Sequence, residues 1–131
     1  MATFLLRAGL LVAAVIHLLP LVGVLGAERL RSLYGIPVEG ADLAILLRHR
    51  AVLFGLLGAF LALSAFRPGL HGLGLAAGFT SVIAFLVLAW VTPGYNAALA
   101  RVVVADWIAL GALCVAAAAW WHLRRAAAAG A

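Results

Sequence analysis

Apolar residues fill four long blocks of this chain, 8–27, 51–66, 68–100 and 102–123, with charged residues standing at the breaks between them. The blocks hold 20, 16, 33 and 22 residues; the third is interrupted at Pro93-Gly94 and the fourth carries Asp106. About 20 helical residues cross a hydrocarbon core of about 30 Å, so the pattern predicts four membrane spans and little else. The expected architecture is all-α: one domain, residues 1–131, folded as an integral-membrane four-helix transmembrane bundle. Turn and cap residues set the expected spans at 4–26, 43–66, 70–91 and 97–125. Asp42 is placed to cap the second span and Asn96 the fourth. Arg67-Pro68-Gly69 makes a tight turn, Thr92-Pro93-Gly94 ends the third span, and the alanine tail after Arg125 is expected to fray. Between the first two spans lies a polar connector, 27–41, where Glu28 and Glu39 precede Asp42. Arg7 and the small-residue exit Val24-Leu25-Gly26 resemble a signal peptide, but the length of the run and Pro20 within it favour a retained helix.

Small residues recur every four positions at Ala51, Gly55 and Ala59 and at Gly74 and Gly78. Lipid is as apolar as leucine, so membrane helices associate through such close backbone approaches, and the spacing predicts tight packing of the second and third spans. Trp90 and Tyr95 fall near one membrane face and Trp120 and Trp121 near the other, as interfacial anchors do.

Composition agrees with the pattern. Hydrophobic residues make up 68% of the chain and mean hydropathy is +1.23, far above the roughly 45–50% of soluble domains, which leaves no room for a soluble catalytic domain. All nine basic residues are Arg, in an Ala/Leu/Gly/Val background that points to a GC-rich bacterial genome. The net charge of +5 fits anionic lipid head groups as the partner, not nucleic acid. Cys114 is the only cysteine, so an intrachain disulfide and a Cys-based metal site are both excluded.

Charge placement carries the functional clue. The block 51–66 is about 24 Å of helix, so its span must take in roughly four more positions, which sets Arg48, His49 and Arg50 at the hydrocarbon edge. Asp106 lies about 7 Å beyond Arg101 along the fourth span, at similar depth. An Asp106 pair with Arg50 or Arg48 is one way to hold these charges. A pocket open to one side is the other, in which Arg48, His49, Arg50 and Arg101 outnumber Asp106 and leave positive charge for an anionic or quinone-like ligand. Consecutive helical residues are about 100° apart, so Arg48, His49 and Arg50 cannot all face inward. Near the midplane, His17 is expected to bond Thr80 or Ser81, while Pro20 frees the Ile16 carbonyl. His17 as a proton relay, or as a haem ligand with His49, is the alternative use. His71 and His122 look interfacial. No HExxH, Cys pair, nucleophile triad or Lys-dependent phosphate loop is present, and no metal site is expected.

Ile16-His17-Leu18-Leu19-Pro20, Gly23-Val24-Leu25-Gly26 with Arg29-Leu30 and Leu33-Tyr34-Gly35, Leu47-Arg48-His49-Arg50-Ala51-Val52-Leu53-Phe54-Gly55, Gly94-Tyr95-Asn96, Arg101-Val102-Val103 and Asp106 together resemble a family of small, uncharacterised bacterial four-helix membrane proteins. Members of that family often carry the label phosphopantetheine adenylyltransferase. The residues here contradict that activity, having neither its T/HxGH motif nor any Lys. The layout is also similar at fold level to DoxX-like proteins.

These readings make the chain a non-enzymatic or accessory protein of the bacterial inner membrane, with both ends on the cytoplasmic side. It is expected to bind a small ligand or lipid in a one-sided pocket without a cofactor, or to serve in a homo-oligomer or larger membrane complex. A proton-coupled transporter and a membrane redox or haem protein are the alternatives.

Overall fold

The computed structural model describes residues 1–130. Helix α1, Ala2–Leu18, passes into a 3-10 segment, Leu19–Leu25, so the first span is not the single α-helix expected over 4–26. Pro20 has no N–H to give to the Ile16 carbonyl, and the chain tightens where that rung is missing. Gly26, at φ 139°, turns the backbone sharply into α2, Ala27–Tyr34. The polar pattern predicts a connector over 27–41, but its first eight residues are helical. Its helix buries Leu30 and Tyr34, one turn apart, and ends where left-handed Gly35 donates its N–H to the Arg31 carbonyl at 2.8 Å.

Helix α3, Ala41–Phe66, starts directly after Gly40. Asp42 therefore lies in its first turn and is not the cap; it serves the helix through the dipole alone. A short 3-10 turn, Pro68–Leu70, leads into α4, His71–Val91, and α5 runs Ala97–Ala129. The tail after Arg125 continues the helix to Ala129, where fraying was expected, because alanine has the highest helix propensity of all residues.

Asn96 does cap α5. Its Oδ1 accepts the Leu99 N–H at 2.8 Å, while its Nδ2 donates to the carbonyls of Tyr34 at 2.9 Å and Gly35 at 3.3 Å. One side chain thus starts α5 and ties down the end of α2. Asn96→Ala is expected to cost about 1–2 kcal/mol and to loosen both elements. Thermal unfolding in detergent, with faster amide exchange at Leu99, would show it; an unchanged midpoint would refute it.

The helices form a ring in which α1 sits between α3 and α5, and α4 closes the circle against α3 and α5. The half of this ring near the chain ends is solid. Leu6, Leu10, Leu61, Val82 and Leu113 are fully buried there. Glycines let the backbones close up: a Cβ on Gly9 would strike the Ala112 carbonyl, and one on Gly58 would lie 2.7 Å from Leu18 Cγ and 3.0 Å from the Ala14 carbonyl. Ala51 and Gly55 are buried as the four-residue spacing predicts, but Ala59 is exposed and Gly58 takes its place. At 100° per residue Ala59 stands about 80° round from Ala51, whereas Gly58 stays within about 20°.

Large apolar side chains cover the outside, among them Phe4, Leu25 and Trp90 at 68, 76 and 83% exposure. Four helical stretches are long and apolar enough to cross a membrane, Ala2–Leu25, Ala41–Phe66, Pro68–Val91 and Ala97–Ala129. The protein is a multi-pass membrane protein with an all-α four-helix bundle fold. Trp90, at the end of α4, and Trp121, far along α5, are exposed at opposite ends of the bundle, whereas Trp120 folds inward against Gly72.

Candidate functional site

The other half of the ring, toward α2 and the turn between α4 and α5, is hollow. A cavity of about 220 Å³ opens between all four spans and α2. Its charged lining is Arg50 from α3 with Arg101 and Asp106 from α5, one turn and a half apart on that helix. Tyr34, Phe54 and Phe85 supply aromatic walls, and His17 forms part of the lining at the deep, midplane side.

The structure divides the predicted charge cluster. Arg50 faces the cavity, while Arg48 and His49 are exposed and line no part of it. Arg48 instead donates from Nε to the Val24 carbonyl at 3.0 Å, fixing α3 to the 3-10 segment. Its neighbour Arg50 lays its guanidinium over two rings, with Cζ 5.2 Å from the Tyr34 centroid and 5.0 Å from that of Phe54. Stacking uses the flat face of the guanidinium and leaves its N–H edge free, and among the described residues that edge makes no hydrogen bond. Arg50 and Asp106 share the cavity without closing into an ion pair within 4.0 Å. The pair that the depth argument allowed is replaced by two charges facing a common space.

His17 is 2% exposed. Its Nδ1 donates to the Ala13 carbonyl at 2.8 Å, which leaves Nε2 to accept the Ser81 hydroxyl at 3.0 Å in the neutral ring. Of the two hydroxyls expected at this depth, Ser81 makes the bond and Thr80 points outward, since adjacent positions lie about 100° apart. Both ring nitrogens are thereby engaged within the bundle. Ser81→Ala is expected to cost about 1 kcal/mol, the usual worth of an interhelical hydrogen bond in a membrane protein, and Thr80→Ala nothing measurable. Equal unfolding midpoints for the two variants in detergent would show the bond to be worthless.

No family model, curated protein or solved structure matches the chain. What the site can do is therefore read from its own residues. Among the described residues no three His, Cys, Asp or Glu side chains come together as a metal group. His71, expected at the interface, is 8% exposed, and among the described residues its Nε2 is the one buried side-chain nitrogen or oxygen left without a partner. His122 is exposed.

The aromatic walls were missed in the sequence. Phe54 could have been found, since it stands four residues from Arg50 and so shares its helix face. Tyr34 could have been found once 27–34 was read as an amphipathic helix. Nothing near Phe85 distinguishes it from the other large apolar residues of its span.

Proposed function

We propose that this protein is a membrane-embedded binding protein for a small ligand with a planar, anionic or quinone-like head, acting without catalysis as an accessory component of its membrane. The observation that carries this reading is the cavity itself, where two arginines face one aspartate. The surplus of one positive charge favours an anion, and the N–H edge of Arg50 suits a carboxylate or a carbonyl oxygen. An apolar cavity of about 150 Å³ is large enough for benzene, so about 220 Å³ admits a single ring bearing a charged substituent. Tyr34, Phe54 and Phe85 give such a ring faces to lie against.

The Arg-only basic composition and the resemblance to a bacterial family support a bacterial inner membrane, with both chain ends on the cytoplasmic side. The ligand-bound protein serves there alone, as a homo-oligomer, or within a larger membrane complex. Native mass spectrometry of the detergent-purified protein tests the reading, with benzoate as the added probe if no ligand is retained. Binding that changes in Arg50→Gln and in Asp106→Asn supports it. Binding identical in wild type and both variants, or no binding at all, ends it.

A further inference from the structure

A second recess adjoins the cavity. It measures about 540 Å³ and shares three side chains with the cavity, Tyr34, Arg50 and Phe85, so these form the partition between the two. Beyond the partition the recess is walled by Leu47 of α3, Leu99 of α5, and Ile36 and Tyr95 from the connectors. None of its lining comes from α1. The recess therefore lies away from α1, at the connector end of the bundle, between α3, α4, α5 and the turn that joins α4 to α5.

The seam between α3 and α4 is shut at only one end. Near the Arg67 turn, glycines draw the two helices together: a Cβ at Gly74 would lie 2.5 Å from Ser64 Cβ, and one at Gly78 would lie 3.4 Å from Leu61 Cδ2. Toward the other end large residues of the two helices, Phe54 and Phe85, line the cavity instead, and space remains there. Small residues permit close helix approach in lipid and bulky ones hold helices apart, so the splayed half follows from the residue sizes.

Resting on the pocket reading above, we infer that the ligand is an amphiphile: its single-ring or carboxylate head occupies the cavity beside Arg50, and its apolar chain lies in the adjoining recess at the connector end of the bundle. Three observations converge on this class. The cavity is too small for more than a head, the adjoining recess is larger and mostly apolar, and the side chains between them include Arg50, a cation whose N–H edge makes no hydrogen bond among the described residues. Arg50 is held at the partition by ring stacking alone, which a side chain can leave and regain as the head passes.

The test compares benzoate with 4-dodecylbenzoate on the full chain, in one detergent at one concentration. Leu47→Trp and Leu99→Trp fill the recess without touching the cavity lining. The inference expects these variants to bind 4-dodecylbenzoate at least tenfold more weakly than wild type and to bind benzoate as wild type does. Equal losses for both probes, or none for either, would overturn it. A second measurement needs no variant: 4-dodecylbenzoate with a diazirine at the chain end, irradiated on the wild-type protein, should label peptides from 36–50 and 85–99. Label confined to α1 or to the chain-end half of α5 would sink this placement of the apolar chain even if benzoate binds, leaving the cavity reading intact. Failure of the wild type to bind either probe would remove both.

Discussion

Gly9→Leu is expected to be the most destructive single substitution in this protein, lowering stability by about 3 kcal/mol or more. The first atom of any side chain at Gly9 meets the backbone carbonyl of Ala112, and the next neighbour is the Ala116 methyl at 2.8 Å. A flexible side chain could swing away, but a carbonyl in the middle of α5 cannot, so the two helices must separate. Overpacking of a well-filled core costs about 1–3 kcal/mol and more where backbone must move. Here the helices pushed apart are α1 and α5, whose contact runs along the solid half of the ring. Gly111→Leu supplies the control. Nothing lies within 4 Å of a Cβ at that position, and leucine has the better helix propensity, so its stability should match or slightly exceed wild type. Unfolding of both variants in mixed micelles decides the matter; similar midpoints would mean that the α1–α5 approach is not what holds the bundle.

The second large effect concerns charge in the cavity, and its value lies in the opposite signs of two neighbouring variants. Arg50→Gln removes a stacked cation whose N–H edge faces the ligand space. A charge-assisted hydrogen bond is worth about 1.5–3 kcal/mol, so benzoate should bind about 10- to 100-fold more weakly. Asp106→Asn removes the only negative charge in the lining and with it the repulsion of an anion, so benzoate should bind more tightly. Arg48→Gln, outside the cavity, should leave binding unchanged and weaken only the tie to Val24. Calorimetric titration of the three variants reads all of this. If Asp106→Asn weakened benzoate as much as Arg50→Gln, the carboxylate would be holding the site together, not opposing the ligand.

Cavity and solid core divide the bundle in two, and the residues account for the division. Leucine with glycine and alanine interlocks at one end, while the other end brings together aromatic rings and three charged groups. Charged groups in a membrane span resist complete packing, because each keeps its polar atoms near water, a partner or a ligand. The hollow thus forms where Arg50, Arg101 and Asp106 stand. A charged and aromatic cavity in an otherwise well-packed helix ring is the physical reason for proposing a ligand there.

The four spans, their approximate ends and the Asn96 cap were legible in the sequence, because lipid demands about 20 apolar residues per crossing and an Asn just before an apolar run favours a helix start. Pro20 was visible as a break, although not the 3-10 geometry that follows it. The depth of Arg50, Arg101 and Asp106 could be counted along the chain, since rise per residue is constant. Which way each pointed could not. That choice depends on how α1, α3, α4 and α5 rotate about their axes, and rotation is set by glycine contacts such as Gly9 on Ala112 and Gly58 on Leu18, which join residues distant in the chain. Those contacts turned Arg50 inward and left Arg48 outside; they chose Ser81 over Thr80 as the partner of His17. They also gathered Tyr34, Phe54 and Phe85 from three different helices into one wall. Local chemistry determined where the helices run and how deep each charge sits; packing between distant segments decided which side chains share a space.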